Sequence, residues 1–284
     1  MARTAQRTPP DRVDPGIDHE VRLGSHGWTV VRDVPGPEGA PALMLLHGLG
    51  ATARLNWGAC FRPLSEHFRV LALDHRGHGR GLRTRQFSLE ECADDAVLAA
   101  DARGAQRFIA VGYSMGGPIA SLVCQRHPER VSGLVLCATA RHFARRSAAR
   151  LARVALPLAA GAARLVPGRA HARMVQRMLA RVEHPELRDR IVEEFLGHEP
   201  ASVIQAAEAL TRFSSHDWIG ELDLPAAVLV TTRDELVPPS RQYKLAASIP
   251  GAKLFEIGGD HDACVGHPGF PATLVRACRA VAGV

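Results

Sequence analysis

Short apolar runs that alternate with stretches of helical periodicity constrain this chain more than any other feature. Ala42 to Leu46, Val70 to Leu73, Phe108 to Val111, Val131 to Cys137, Ala226 to Thr231 and Lys253 to Ile257 are strand-length and almost free of charge. Near-continuous apolar runs suit strands buried on both faces, the situation that crossover helices create in a parallel sheet. The intervening stretches fit that role. Ser88 to Ala102 opens on a capping box, Ser88 with Glu91, and Ser114 to Arg126 and Pro268 to Val281 continue the pattern. Trp28 to Val34 reads as an early antiparallel strand. The order predicts an α/β fold: a mostly parallel central sheet flanked by helices.

The alternation breaks between about Arg141 and Ser215, where Ala, Arg, Leu and Met dominate and no strand-like run occurs. This predicts a flexible leader over 1–18, a core formed by 19–140 and 216–284, and a helical cap, or lid, over 141–215. The cap leaves the sheet after one strand and returns before the next, so it should roof the carboxyl ends of those strands, where open α/β sheets bind ligands.

Charge separates along the same boundary. Of the net charge of +6, residues 141–190 carry 12 arginines against 3 acids, and the remainder is net −3. No nucleic-acid motif accompanies the basic segment, so no nucleic-acid partner is expected. Arg169, Arg173, Arg177 and Arg181 share one helix face, read as solvated, with contact to an anionic membrane surface or an acidic substrate as the alternative. The most apolar stretch there, Val154 to Ala163, is too short to span a bilayer, so no transmembrane segment is expected. The leader lacks the apolar centre of a secretory signal, and the six cysteines have no zinc-type spacing. A cytoplasmic protein with reduced, buried thiols is the expectation; its oligomeric state is not legible.

The chemistry begins at Gly112-Tyr113-Ser114-Met115-Gly116-Gly117, directly after an apolar run and directly before a helix. A strand that turns sharply into a helix crowds the positions two before and two after the serine, where only small residues fit, and the strained turn exposes the hydroxyl. Serine needs a base and an acid to orient that base, in the order Ser, acid, His. Asp234 and His261 each follow a strand, in TTRDELVPP and GGDHDACVG. The competing readings are Glu235 as the acid, His267 as the base, and a metal held by Asp260 and Asp262. His47 and Asp74 are read as structural, shaping the loops in which they sit.

These segments, with Leu46-His47-Gly48-Leu49-Gly50 and Asp74-His75-Arg76-Gly77-His78-Gly79, resemble the α/β-hydrolase superfamily over essentially the whole chain outside the leader. The resemblance implies a Ser114–His261–Asp234 triad. It also implies an oxyanion hole made by the Met115 N–H and one from the loop that follows the strand Ala42 to Leu46. Lipase-type loops read HGGG where this chain reads HGLG, so Leu49 is preferred there and Gly48 stays open. Such chemistry uses no metal or organic cofactor. Trp57, Met174 and Met178 are pocket-lining candidates, Trp57 being equally readable as a core aromatic.

The expected function is hydrolysis of a small-molecule carboxylic ester with an apolar part, through an acyl-enzyme. The same triad serves thioesterases, carbon–carbon bond hydrolases and perhydrolases, and a weakly catalytic ligand-binding receptor is the alternative from another class.

Overall fold

The computed structural model describes residues 16–143, 155–161, 163 and 197–284. Met174, Met178 and the four arginines of the basic helix face lie outside the described residues, as does most of the expected leader.

Among the described residues, eight strands form one sheet in the order β1-β2-β4-β3-β5-β6-β7-β8. They are β1 (Ile17–Leu23), β2 (Gly27–Val34), β3 (Ala42–Leu46), β4 (Arg69–Leu73), β5 (Phe108–Tyr113), β6 (Val131–Cys137), β7 (Ala226–Thr231) and β8 (Lys253–Ile257). β1 pairs with β2 and β2 with β4 antiparallel, and every other pairing is parallel. The six apolar runs are therefore strands, and the sheet is mostly parallel.

Two details depart from the sequence reading. β1 was not anticipated and begins at Ile17, inside the expected leader; its sequence, IDHEVRL, buries only Val21 and Leu23, too weak an alternation to stand out. β8 is not buried on both faces. It ends the sheet, so one long side has no strand partner among the described residues, and Lys253, Leu254 and Glu256 are exposed.

Strand alternation sends neighbouring residues to opposite faces. Met44 and Leu46 join a cluster with Leu71, Leu73, Ala110, Leu134 and Leu136, under α3 (Leu89–Ala102) and α4 (Gly116–Arg126). Leu43 and Leu45 join Val70, Val111, Val135 and Leu229 on the other face, beneath α1 (Ala53–Trp57), α2 (Phe61–Ser65) and the C-terminal helix Phe270–Ala282. All six cysteines are buried and free.

The capping expectation holds in half. Ser88 Oγ accepts from the Glu91 N–H at 3.0 Å, capping α3, while the Glu91 carboxylate pairs with Arg76. Arg76 reaches the same helix through a bidentate bond to Asp95, at 2.8 and 2.9 Å, with both side chains under 5% exposed. Burial disfavours the Arg76 charge, but Asp95 outweighs it and holds the guanidinium above its ordinary pKa. Asp95→Asn should cost about 3 kcal/mol in equilibrium urea unfolding, because it strands a buried charge that only Glu91 still meets. A loss under about 0.5 kcal/mol would show that the pair is not desolvated.

Candidate active site

The parallel strands end on one edge of the sheet, and the loops that leave β3, β4, β5, β7 and β8 carry His47, Asp74, Ser114, Asp234 and His261. Ser114 has φ +52°, left-handed backbone in which a side chain costs about 1–2 kcal/mol. The turn holds it there. Its N–H donates to Cys137 O at 2.9 Å, and its carbonyl accepts from Thr139 Oγ1 at 2.8 Å and the Gly117 N–H at 2.9 Å. A Cβ on Gly112 would stand 2.1 Å from Gly116 O, and one on Gly116 would stand 2.0 Å from Leu46 O. The crowding inferred from sequence is thus backbone against backbone, which no side-chain rearrangement relieves.

His261 Nδ1 lies 2.8 Å from Asp234 Oδ2 and its Nε2 lies 2.9 Å from Ser114 Oγ. An ionised carboxylate only accepts, so Nδ1 carries the hydrogen and Nε2 is free to accept from the serine hydroxyl. Asp234 is buried. Oδ1 accepts from the Leu236 and Val237 N–H groups at 2.9 and 2.7 Å, and Oδ2 accepts from Thr231 Oγ1 at 2.8 Å and Gln242 Nε2 at 3.2 Å besides His261. Burial alone would raise its pKa. The bond to His261, the Val237 N–H, the charge on His261 and the Thr231 hydroxyl together outweigh that and hold it below the ordinary carboxylate value.

The His261 backbone is fixed at both ends: its N–H donates to Asp260 Oδ1 at 2.6 Å, and its carbonyl accepts from Tyr113 Oη at 2.8 Å. Asp260 also accepts from the Glu235 N–H at 3.2 Å, which joins the acid loop to the histidine loop. Among the competing readings, Glu235 is exposed, and His267 Nδ1 accepts from the Gly269 N–H at 3.1 Å, just ahead of the last helix. No group of three or more metal-ligating side chains gathers among the described residues.

Beside the serine, the loop after β3 is a tight turn closed by the Ala51 N–H on Gly48 O at 3.3 Å. Gly48 O also accepts from His47 Nδ1 at 2.8 Å, and the Gly48 N–H donates to Asn56 Oδ1 at 2.8 Å. His47 Nε2 accepts from the His75 N–H at 2.9 Å, and burial pushes the imidazole pKa down to about 3, so the ring is neutral. Asp74 braces the loop after β4 in the same way, accepting from the Ala53 and Arg80 N–H groups at 2.7 and 2.8 Å. Trp57 is wholly buried, edge-on to Tyr113, and belongs to the core rather than a pocket wall.

Sequence reasoning missed Gln242, Tyr113, Asn56 and His198. Gln242 is fully buried and ties Thr231, Asp234 and the Val237 carbonyl together, yet nothing local in PSRQYKLA marks it. Tyr113 occupies an unconstrained position of the serine motif, and its partner lies 148 residues on.

The sequence profile of the α/β-hydrolase fold family matches residues 41–268, and the chain belongs to that family. It is 30% identical over 225 residues to the pimeloyl-acyl-carrier-protein methyl ester esterase of Chromobacterium violaceum, covering 76% of this chain and 85% of that one. Among solved structures it is similar to the enol-lactonase from Burkholderia xenovorans LB400, with a TM-score of 0.75, 24% identity, and 91% and 98% of the two chains covered. A thermophilic esterase from Thermogutta terrifontis gives 0.74 and 24%, over 92% and 97%. No helix among the described residues is long and apolar enough to cross a membrane.

Proposed function

We propose that this chain is a serine hydrolase that cleaves a carboxylic ester with an apolar part through an acyl-enzyme, with Ser114 as nucleophile, His261 as base and Asp234 as its orienting acid. The observation that carries the reading is the continuous bond series from Asp234 Oδ2 through both His261 nitrogens to Ser114 Oγ, ending on a serine in left-handed backbone. The methyl ester esterase relative supports the substrate class.

In the proposed reaction His261 Nε2 takes the Ser114 proton as Oγ attacks the carbonyl carbon. The imidazolium then gives that proton to the leaving alcohol, and water activated by the same nitrogen releases the acid. The Met115 and Leu49 N–H groups receive the oxyanion. Neither has an acceptor among the described residues, whereas the Gly48 N–H is already committed to Asn56, which favours Leu49 over Gly48. The two bonds on Gly48 O support the same choice, because in a trans peptide they turn the Leu49 N–H the opposite way. The insertion between β6 and β7 acts as a cap over the strand ends, a role supported by the docking of residues 197–199 onto the loop after β4.

Intact mass after treatment with a fluorophosphonate tests the reading. One adduct on the wild type, absent in Ser114→Ala, is the expected result, and no adduct on folded wild type would overturn it. Because Asp234 is held below the ordinary carboxylate value and stays ionised well below neutrality, it adds no titration step there, and the acid limb of kcat/KM should fall no more steeply than about tenfold per pH unit. A steeper limb in a pH-rate profile would mean that a second group titrates there.

A further inference from the structure

The tight turn that follows β3 is held at its Gly48 end by Asn56 and His47, close to the core. Its far end is held differently. Gly50 O accepts from Nε2 of His198, a buried side chain 148 residues away in the insertion between β6 and β7, at 3.0 Å. The other nitrogen of the same ring, Nδ1, accepts from the Gly79 N–H at 2.8 Å in the loop after β4. A backbone N–H can only be accepted by a bare ring nitrogen, so the hydrogen of this imidazole sits on Nε2 and is donated to Gly50 O.

His198 is well placed to transmit the position of the insertion. On either side of it, the Glu199 N–H donates to Gly77 O at 2.9 Å and Arg83 donates to Gly197 O at 3.2 Å. The fit behind it is close: a Cβ on Gly77 would stand 2.2 Å from Ser202 Cβ, at the start of the helix Pro200–Arg212. Residues 197–199 are therefore seated on the loop after β4, and His198 carries that seating one loop further, to the turn containing Leu49. Gly50, at φ +65°, is the residue that lets the turn close, so a bond to its carbonyl bears on the orientation of the whole turn.

We propose that His198 is a positioning residue that holds the Leu49 N–H in place for the oxyanion, so that the oxyanion hole is complete only when residues 197–199 are seated on the loop after β4. The inference rests on the reading of Leu49 as an oxyanion donor. Displacing residues 197–199 would withdraw the hydrogen bond on Gly50 O and with it the support of the turn.

The two nitrogens can be tested separately, because a glutamine amide offers a donor near the place of Nε2 and an asparagine amide offers an acceptor near that of Nδ1. The full chain is assayed with p-nitrophenyl butyrate for kcat and KM, and with a fluorophosphonate for the rate of covalent labelling. His198→Ala should lower kcat about 10- to 30-fold with KM within about twofold, and slow labelling in parallel, since both reactions place charge in the same hole. His198→Gln should recover kcat to within about threefold of wild type, while His198→Asn stays with the alanine variant. Each of these two variants keeps one bond and loses one, so they decide the matter even if His198→Ala unfolds. Equal recovery by both, a rise in KM at unchanged kcat, or labelling rates indifferent to all three substitutions would overturn the proposal while Ser114 remains the nucleophile. A wild type that neither turns over nor labels would overturn both readings together.

Discussion

Ser114→Ala should lower kcat by about 10⁵- to 10⁶-fold and leave the fold intact. On the proposed mechanism activity falls this far because His261 and Asp234 then activate nothing, and what remains is the contribution of binding and the oxyanion donors. Stability should hardly move. The Ser114 hydroxyl loses one bond, to His261 Nε2, and that ring is 20% exposed, so water replaces the lost partner. Alanine meets the same left-handed backbone as serine, whereas Ser114→Gly removes the Cβ penalty and should raise stability by about 1 kcal/mol at φ +52°. Urea unfolding of the three proteins beside an esterase assay checks both halves. If glycine were no more stable than serine, the positive φ would not be a stored strain.

Asp234→Asn should combine a loss of about 10⁴ in kcat with about 2 kcal/mol of destabilisation. The carboxylate accepts from five donors: His261, Thr231 and Gln242 on one oxygen, the Leu236 and Val237 N–H groups on the other. An amide has one accepting end. With its oxygen toward His261, the NH₂ confronts two backbone donors that cannot turn away. With the NH₂ toward His261, Nδ1 must accept, the ring hydrogen moves to Nε2, and Ser114 loses its proposed base. Either orientation also removes the charge that stabilises the imidazolium during attack.

The variant should also change how stability depends on pH. A carboxyl group held below its ordinary pKa in the fold contributes stability that is present above the unfolded value, near 3.8, and lost as pH falls through the folded value. The wild type therefore loses this contribution on acidification and Asp234→Asn has none to lose, so their urea midpoints should converge below about pH 4. Parallel midpoints down to about pH 3 would mean that the Asp234 pKa is not depressed.

Legibility in the sequence followed the range of the interactions. The six apolar runs were readable because burial on two faces imposes composition on consecutive residues, and the Ser114 turn because backbone crowding forces glycine at fixed offsets. β1 was hidden because only two of its seven residues are buried, and β8 was misjudged because Leu254, Phe255 and Ile257 outweighed Lys253 and Glu256, the two charges that mark it as an edge. Trp57 had two readings, and its contact with Tyr113, 56 positions on, selects the core.

The sequence by itself therefore determined the α/β class and the strand-turn-helix around Ser114, and it offered Asp234 and His261 as candidates beside Glu235 and His267, since each of these follows from local composition or from chain order. Only the tertiary structure decided which groups hold these side chains in place: Gln242 on Asp234, Tyr113 and Asp260 on His261, Asn56 and His198 on the turn after β3. Such bonds need one donor and one acceptor at about 3 Å and place no demand on their neighbours in the chain, so they leave no periodic trace in it. Apart from Asp260, which adjoins His261, these partners lie 8 to 148 positions apart, and folding is what brings them within that distance.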